Sequence, residues 1–223
     1  MGIANPLTSP AHKIGGLYFN GRNAYVKVPD SESLNITDEI TIASWIYPLK
    51  VDSYRGIAAD TSSGITKLGW RFYVLRGKLE FTHGDGTTGA YYATDAIIST
   101  NQWYFVAVTF KDDKGKLFVN EEVKEFTPEL SLVSKDDWLG IGRAFLNEYQ
   151  ATYFNGIISS VRIYNRALSQ SEIELLYANP DYPLTDGLVL WLPLNQNWGS
   201  RVLDKSGYGN HGTIYNAEWA VRR

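Results

Sequence analysis

From Gly16 to Asn165 the chain is a succession of stretches five to eleven residues long, rich in Val, Ile, Tyr, Phe and Trp, separated by segments carrying Gly, Asn, Asp or Pro. "GLYFNG", "AYVKVP", "EITIASWIYPL", "GWRFYVL", "KLEFT", "WYFVAVTF", "KLFVN", "WLGIG" and "GIISSVRIYN" are the clearest. β-branched and aromatic residues suit a pleated, half-buried surface, and runs bounded by turn residues at this spacing read as strands. Nine or more of them imply an antiparallel sandwich or jelly roll. Two hairpin turns are expected, at Arg76-Gly77 and at Asp113-Lys114-Gly115, with Gly supplying positive φ in each. A length of 223 residues fits one such sandwich.

One segment departs from the pattern. In "LSQSEIELLYANP" Ser169 is placed to cap a helix, and Glu172, three residues on, completes a capping box. Leu168 and Ile173 flank that cap as a staple. Ile173, Leu176 and Tyr177 form the apolar stripe, and Pro180 stops the helix. Residues 178–187, with two prolines and a glycine, read as a linker. "LVLWLPL" beyond it is a further strand.

Several function classes are excluded or disfavoured. The net charge is −3 with Lys and Arg spread evenly, so no basic stripe for nucleic acid exists. There is no cysteine, which removes disulfides, thiolate metal sites and cysteine nucleophiles. The longest apolar run, "WYFVAVTF", has strand length and falls far short of the roughly 20 residues of a membrane span. "MGIANPLTSPAHK" has no apolar core, so no signal peptide is expected; a virion component assembled inside a host cell would need none. Aromatic residues make up 14%, more than a core requires, which fits either exposed binding surface or the strand preference of these residues and alone decides neither.

The segment "FNGIISSVRIYNRALSQSEIELLY" (154–177) resembles the closing strand and helix, "F-x-G-x-I-D-x-V-R-I-Y-N-R-A-L-S-x-x-E-I", of the laminin-G-like, concanavalin-A-like jelly-roll family. "LYFNGRNAYVKVPDSESLNI", "EITIASWIYP", "NQWYFVAVTF" and "KLFVNEE" agree with that family in order, so the resemblance covers residues 17–177 almost continuously. It implies an all-β antiparallel jelly-roll sandwich with one short helix. Modules of this family open with a segment resembling "GLVLWLPLNQ…VLDKSGYGNHGTIYNAEW", which here stands at the end, residues 187–219. A single domain over residues 1–223 is expected: a main body at 14–177, a linker at 178–187, and strands in 188–221 that complete the sandwich. The alternatives are that the tail opens a second module of a tandem array, or is donated to a neighbouring subunit.

The resemblance also directs attention to chemistry. Hydrolases on this jelly roll carry an E-x-D-x-E strand, whose acids share one face; none is present, and Asp30/Glu32 and Glu172/Glu174 are the nearest pairs. A non-enzymatic protein is expected. In the family the Asp of a D-x-S-G-x-G-N-x-G loop often helps bind calcium, which implies Asp204 with Asn210 nearby. The second family acid is replaced, since "GIISSVRIY" has Ser159 and Ser160 there, leaving Ser160 as the available oxygen ligand. The alternative is that Asp204 and Asn210 only shape a turn.

Sugar rings pack on aromatic faces while planar polar groups take the hydroxyls. "GWRFYVLRGKLEFTHGDGTTGAYYATD" (69–95) concentrates such residues: Arg71, Tyr73, His83, Asp85, Tyr91 and Tyr92. Strand alternation turns Arg71 and Tyr73 outward if Trp70 and Phe72 are core, and sets Tyr91 and Tyr92 on opposite faces. Arg143 and Tyr149, just before the closing strand, are further candidates, whereas Trp45 and Trp103 are assigned to packing. The expectation is a recognition module for glycans or glycoconjugates, extracellular or at a cell or particle surface. The alternative is a structural or adhesion protein of a virion, tail or surface layer acting through protein contacts.

Overall fold

The computed structural model describes residues 15–60, 68–134, 137–147 and 150–220. Its strands in the first half are β1 (Gly16–Asn20), β2 (Tyr25–Val28), β3 (Ile40–Pro48), β4 (Tyr54–Ala59), β5 (Leu68–Leu75), β6 (Lys78–Asp85), β7 (Gly89–Ala93), β8 (Tyr104–Lys111), β9 (Lys114–Val119) and β10 (Glu122–Phe126). The second half adds β11 (Leu139–Ile141), β12 (Arg143–Asn147), β13 (Gln150–Tyr153), β14 (Asn155–Tyr164), helix α1 (Gln170–Ala178), β15 (Leu188–Leu192), β16 (Arg201–Val202), β17 (Gly212–Tyr215) and β18 (Glu218–Ala220). The first sheet runs β10-β9-β8-β3-β14-β1-β18, with β15 also on β14; the second runs β16-β17-β2-β11-β4-β5-β6-β7. Together they form the antiparallel jelly-roll sandwich. Among the described residues no helix is long and apolar enough to cross a membrane.

Between the sheets lies one core, with Phe19, Ile42, Phe72, Phe81, Val106, Phe110, Phe154 and Leu190 among its buried members. A second cluster joins the outer face of the first sheet (Ala43, Trp45, Phe105, Phe118, Tyr164) to α1 through Leu168, Ile173 and Leu176. The central strands β3 and β8 are therefore covered on both faces, which is why "ITIASWI" and "YFVAVTF" read as unbroken apolar runs rather than alternating ones. Trp45 is buried there at 2% exposure, stacked 5.7 Å from Tyr177, while Trp103 packs against Tyr47 at the same sheet. The capping box on α1 forms as the sequence predicts: the Ser169 side chain accepts from the Glu172 amide, and the Ser169 amide donates to the Glu172 carboxylate.

The turns divide. Arg76 and Gly77 both take positive φ, 49° and 81°, in a two-residue loop pairing Leu75 with Lys78. The β8–β9 turn lies elsewhere than expected, at Asp112-Asp113, because Lys111 pairs with Lys114. Gly115 is an ordinary strand position opposite Phe126, whose ring would stand 2.1 Å from any added Cβ. It is glycine for close approach, not for turn geometry.

Residues 188–220 pair with the main body of the same chain. β15 runs along the second half of β14, β18 along β1, and β17 along β2. β1 and β15 thus share one edge of β14 end to end, and the changeover falls at Ser160, whose φ of 47° marks a bulge in the β14–β3 ladder. The preceding segment is strapped down by arginine: Arg162 donates to the carbonyls of Pro180 and Tyr182, and its guanidinium lies 4.0 Å over the Trp191 ring.

Candidate functional site

The hairpin loop at Arg76-Gly77 fixes the register of β5 and β6, setting Trp70 opposite His83, Arg71 opposite Thr82 and Tyr73 opposite Glu80. Alternation then sends Trp70, Phe72, Phe81 and His83 inward, and Arg71, Tyr73, Glu80 and Thr82 onto the outer face of the second sheet. Over that face lies the β12–β13 hairpin, which among the described residues pairs only with itself. It can approach β4 because residue 56 is glycine: an added Cβ would stand 2.3 Å from the Ala144 backbone nitrogen. The hairpin forms a wall, and between it and β5–β7 opens a cleft of 340 Å³. Its remaining lining is Tyr54, Leu75, Tyr91, Ala144, Phe145 and Thr152.

A polar chain crosses the cleft floor. The Tyr73 hydroxyl donates to Glu80 Oε2 at 2.8 Å and lies 2.9 Å from Thr82 Oγ1. Burial raises the Glu80 carboxyl above its ordinary range, with the Tyr73 hydrogen bond opposing it in part. Burial likewise raises the Tyr73 phenol and lowers the Arg71 guanidinium. Tyr54 sits 5.4 Å from Tyr73, ring to ring, and Tyr91 is 73% exposed at the rim. Aromatic faces, one cation, two threonines and a buried carboxyl make a pocket of ligand size with convergent polar groups.

Of the residues expected in this site, Arg71, Tyr73 and Tyr91 come together. His83 does not: at 1% exposure it is core, 4.7 Å from Phe110 and stacked on Phe81 and Tyr92. Neither of its ring nitrogens makes a regular hydrogen bond among the described residues, and burial lowers its pKa. Tyr92 faces away from Tyr91, lying 4.0 Å from the Phe126 ring, and its hydroxyl accepts the Glu129 amide. Asp85 closes the β6–β7 turn, its Oδ1 accepting the amides of Thr87 and Thr88. Arg143 lies outside the cleft lining, its guanidinium 4.3 Å over the Phe145 ring and close to Tyr25, Trp138 and Tyr153. Tyr149 falls outside the described residues.

The residues considered for calcium are hydrogen-bonded within the chain. Asp204 Oδ1 accepts the amides of Trp191 and Ser206, both at 2.9 Å. Its Oδ2 accepts the Ser206 hydroxyl at 2.6 Å and the Asn210 amide at 2.9 Å. Four donors fill the roughly four lone-pair directions of a carboxylate. Asn210 is equally committed: its side-chain Nδ2 donates to Ser33 Oγ and the Val189 carbonyl, and its Oδ1 accepts from Ser31. Ser160 turns to the Pro180 carbonyl. As arranged, these groups pin the 203–211 loop to β15 and to residues 31–33. Among the described residues no group of three or more His, Asp or Glu could hold a metal ion.

A family profile described as the concanavalin A-like lectin/glucanases superfamily matches residues 20–174. No curated protein sequence matches. Among solved structures, a candidate carbohydrate-binding protein from Bacteroides ovatus ATCC 8483 aligns with a TM-score of 0.71 at 18% identity, covering 93% of this chain and 60% of its own. The chain thus spans about three-fifths of that protein's length. The heptameric SAP-like pentraxin of Limulus polyphemus aligns at 0.59 and 13% identity, over 91% and 95% of the two chains. The CBM40 of Ruminococcus gnavus IT-sialidase, bound to α2,3-sialyllactose, aligns at 0.58 and 16%, over 74% and 96%. At these identities the likeness concerns the fold.

Proposed function

The chain belongs to the concanavalin A-like lectin/glucanase superfamily, and from that premise we propose that it is a non-catalytic glycan-recognition module whose site is the cleft between β5–β7 and the β12–β13 hairpin. The observation that carries this reading is the lining itself: Tyr54, Tyr73, Tyr91 and Phe145 offer apolar faces around a floor of Arg71, Thr82 and hydrogen-bonded Glu80. Solved relatives of the same fold include a carbohydrate-binding candidate and a sialyllactose-bound CBM40, which supports the ligand class. Binding rather than hydrolysis is proposed because glycoside hydrolysis uses two carboxylates across the scissile bond, and Glu80 alone supplies one in the described lining. Such a module would act outside the cell or at its surface.

The test is a broad glycan array probed with and without chelator, followed by titration calorimetry on any hit. Binding should survive the chelator, because Asp204 is saturated by the chain's own donors. Tyr73→Ala should weaken it at least tenfold, and long incubation should release no new reducing ends. Absence of binding to any glycan would overturn the proposal.

A further inference from the structure

The hairpin leaves a second surface on its far side. Tyr25 and Lys27 point outward from β2, and Tyr215 from the neighbouring β17 stacks on Tyr25 at 4.8 Å with 10° between ring planes. Trp138 lies 5.6 Å from Tyr25, and Lys27 Nζ stands 5.1 Å from the Trp138 ring. Into this shelf projects Arg143, with its guanidinium carbon 5.0 Å from Tyr25 and 4.9 Å from Trp138. Its Nε is buried with no hydrogen-bond partner among the described residues, and no carboxylate among them pairs with it. An arginine held by aromatic rings keeps its fork rigid and its edge available for a planar or tetrahedral oxyanion. Tyr215, 41% exposed, turns an open flank to solvent.

Charge points the same way. On a chain of net charge −3, this shelf carries Lys27 beside the Trp138 ring and Arg143 among Tyr25, Trp138 and Phe145. The two surfaces meet at Phe145, which lines the cleft on one side and stacks on Arg143 on the other. Phe145, Arg143, Tyr25 and Tyr215 are in successive contact, at 4.3, 5.0 and 4.8 Å, so the shelf is continuous with the cleft wall.

We infer that the Tyr25–Trp138–Tyr215 shelf around Arg143 is a second subsite, which takes a carboxylated or sulfated sugar of an oligosaccharide whose other end occupies the cleft. The inference rests on the glycan reading of the cleft. It makes the ligand acidic and longer than a disaccharide, with its anion on the Arg143 fork and a ring against Tyr215.

Calorimetry on the full chain tests it with three hexasaccharides, one sulfated (heparin-derived), one carboxylated (oligogalacturonate) and one neutral (xylo-oligosaccharide), and with the disaccharide of each acidic series. At least one acidic hexasaccharide should bind tenfold or more tighter than the neutral one, lose that advantage as salt is raised from 50 to 500 mM, and bind far better than its disaccharide. Arg143→Gln should reduce the acidic-to-neutral affinity ratio about tenfold. Because Arg143 also braces the hairpin, Tyr215→Ala and Lys27→Gln serve as second variants, each expected to lower the ratio severalfold with an unchanged melting temperature. The sulfated and carboxylated arms identify which anion is read. Equal affinity for acidic and neutral sugars, an unchanged ratio in all three variants, or equal binding of a poly-glutamate peptide would overturn the inference while leaving the cleft reading intact. No binding of any sugar would overturn both.

Discussion

At the level of single residues, the outer row of the site follows from one turn. Arg76-Gly77 is a two-residue loop, so counting outward from it sets Tyr73 against Glu80 and Trp70 against His83. Glu80 and Thr82 were therefore legible in the sequence as partners of Tyr73 and Arg71, and His83 as a core residue; choosing candidates by residue type rather than by register missed both. The two buried titratable groups then act on stability with opposite signs. The imidazole of His83 has a folded pKa below its ordinary 6.5 because burial disfavours the cation. The unfolded chain takes up that proton first, so stability present above pH 6.5 is lost as the pH falls through the lowered folded value. The carboxyl of Glu80 is raised by burial above its ordinary 4.5. Its contribution is whole below pH 4.5 and is lost as the pH rises through the folded value. Melting curves between pH 4.5 and 7.5 check both. His83→Phe should flatten the decline of Tm below pH 6.5, and Glu80→Gln, whose amide oxygen still accepts from Tyr73, should raise Tm near pH 7.5 with the gain vanishing toward pH 4.5. Parallel profiles for wild type and variants would show that neither group titrates in the folded state as its burial requires.

At the level of elements, strands and helix were readable because their local signals agree with their packing. The capping box, the alternation in β5 and the unbroken runs of doubly covered β3 and β8 each have a sequence signature. The β12–β13 hairpin has none that says where it lies. Its position over β4 depends on a contact between segments nearly ninety residues apart, so Tyr54, Phe145 and Thr152 were not visible as lining residues. The only local trace is Gly56, a glycine inside a strand, which often marks close backbone approach. That contact can be tested directly. Gly56→Val places a side chain 2.3 Å from the Ala144 nitrogen and 2.6 Å from the Arg143 carbonyl carbon, both main-chain atoms that cannot rotate aside. Overpacking of this kind costs about 1–3 kcal/mol, and a domain of this size loses about 2–4 °C of Tm per kcal/mol. The hairpin wall should shift with it, so glycan affinity should fall more than it does in a surface variant of equal Tm. An unchanged Tm and affinity would mean that the hairpin does not rest on β4.

At the level of the whole molecule, the order of segments was legible and their partner was not. "LDKSGYGNHGTIYNAEW" reads as the start of a family module wherever it stands in the chain, but a strand carries the same pattern whether it completes its own sandwich or a neighbour's. In the structure β15, β17 and β18 return to β14, β2 and β1 of the same chain, and the last described pairing sets Ala220 opposite Gly16. The segment also brings Leu188, Val189, Leu190, Leu192, Leu194 and Val202 into the interior, each at 3% exposure or less. Burying one such aliphatic side chain contributes about 1.5–3 kcal/mol, so together they are comparable to the roughly 5–15 kcal/mol by which a domain is stable. Removal would in addition bare the edges of β1, β2 and half of β14. Deleting residues 186–223 is therefore expected to abolish the cooperative melt, and the intact chain is expected to sediment as a monomer at micromolar concentration. A truncated chain that keeps the wild-type Tm would assign the tail to a separate module. A dimer that dissociates only on unfolding would assign it to an exchange of strands between subunits, in which each sandwich has the same pairings but draws them from two chains.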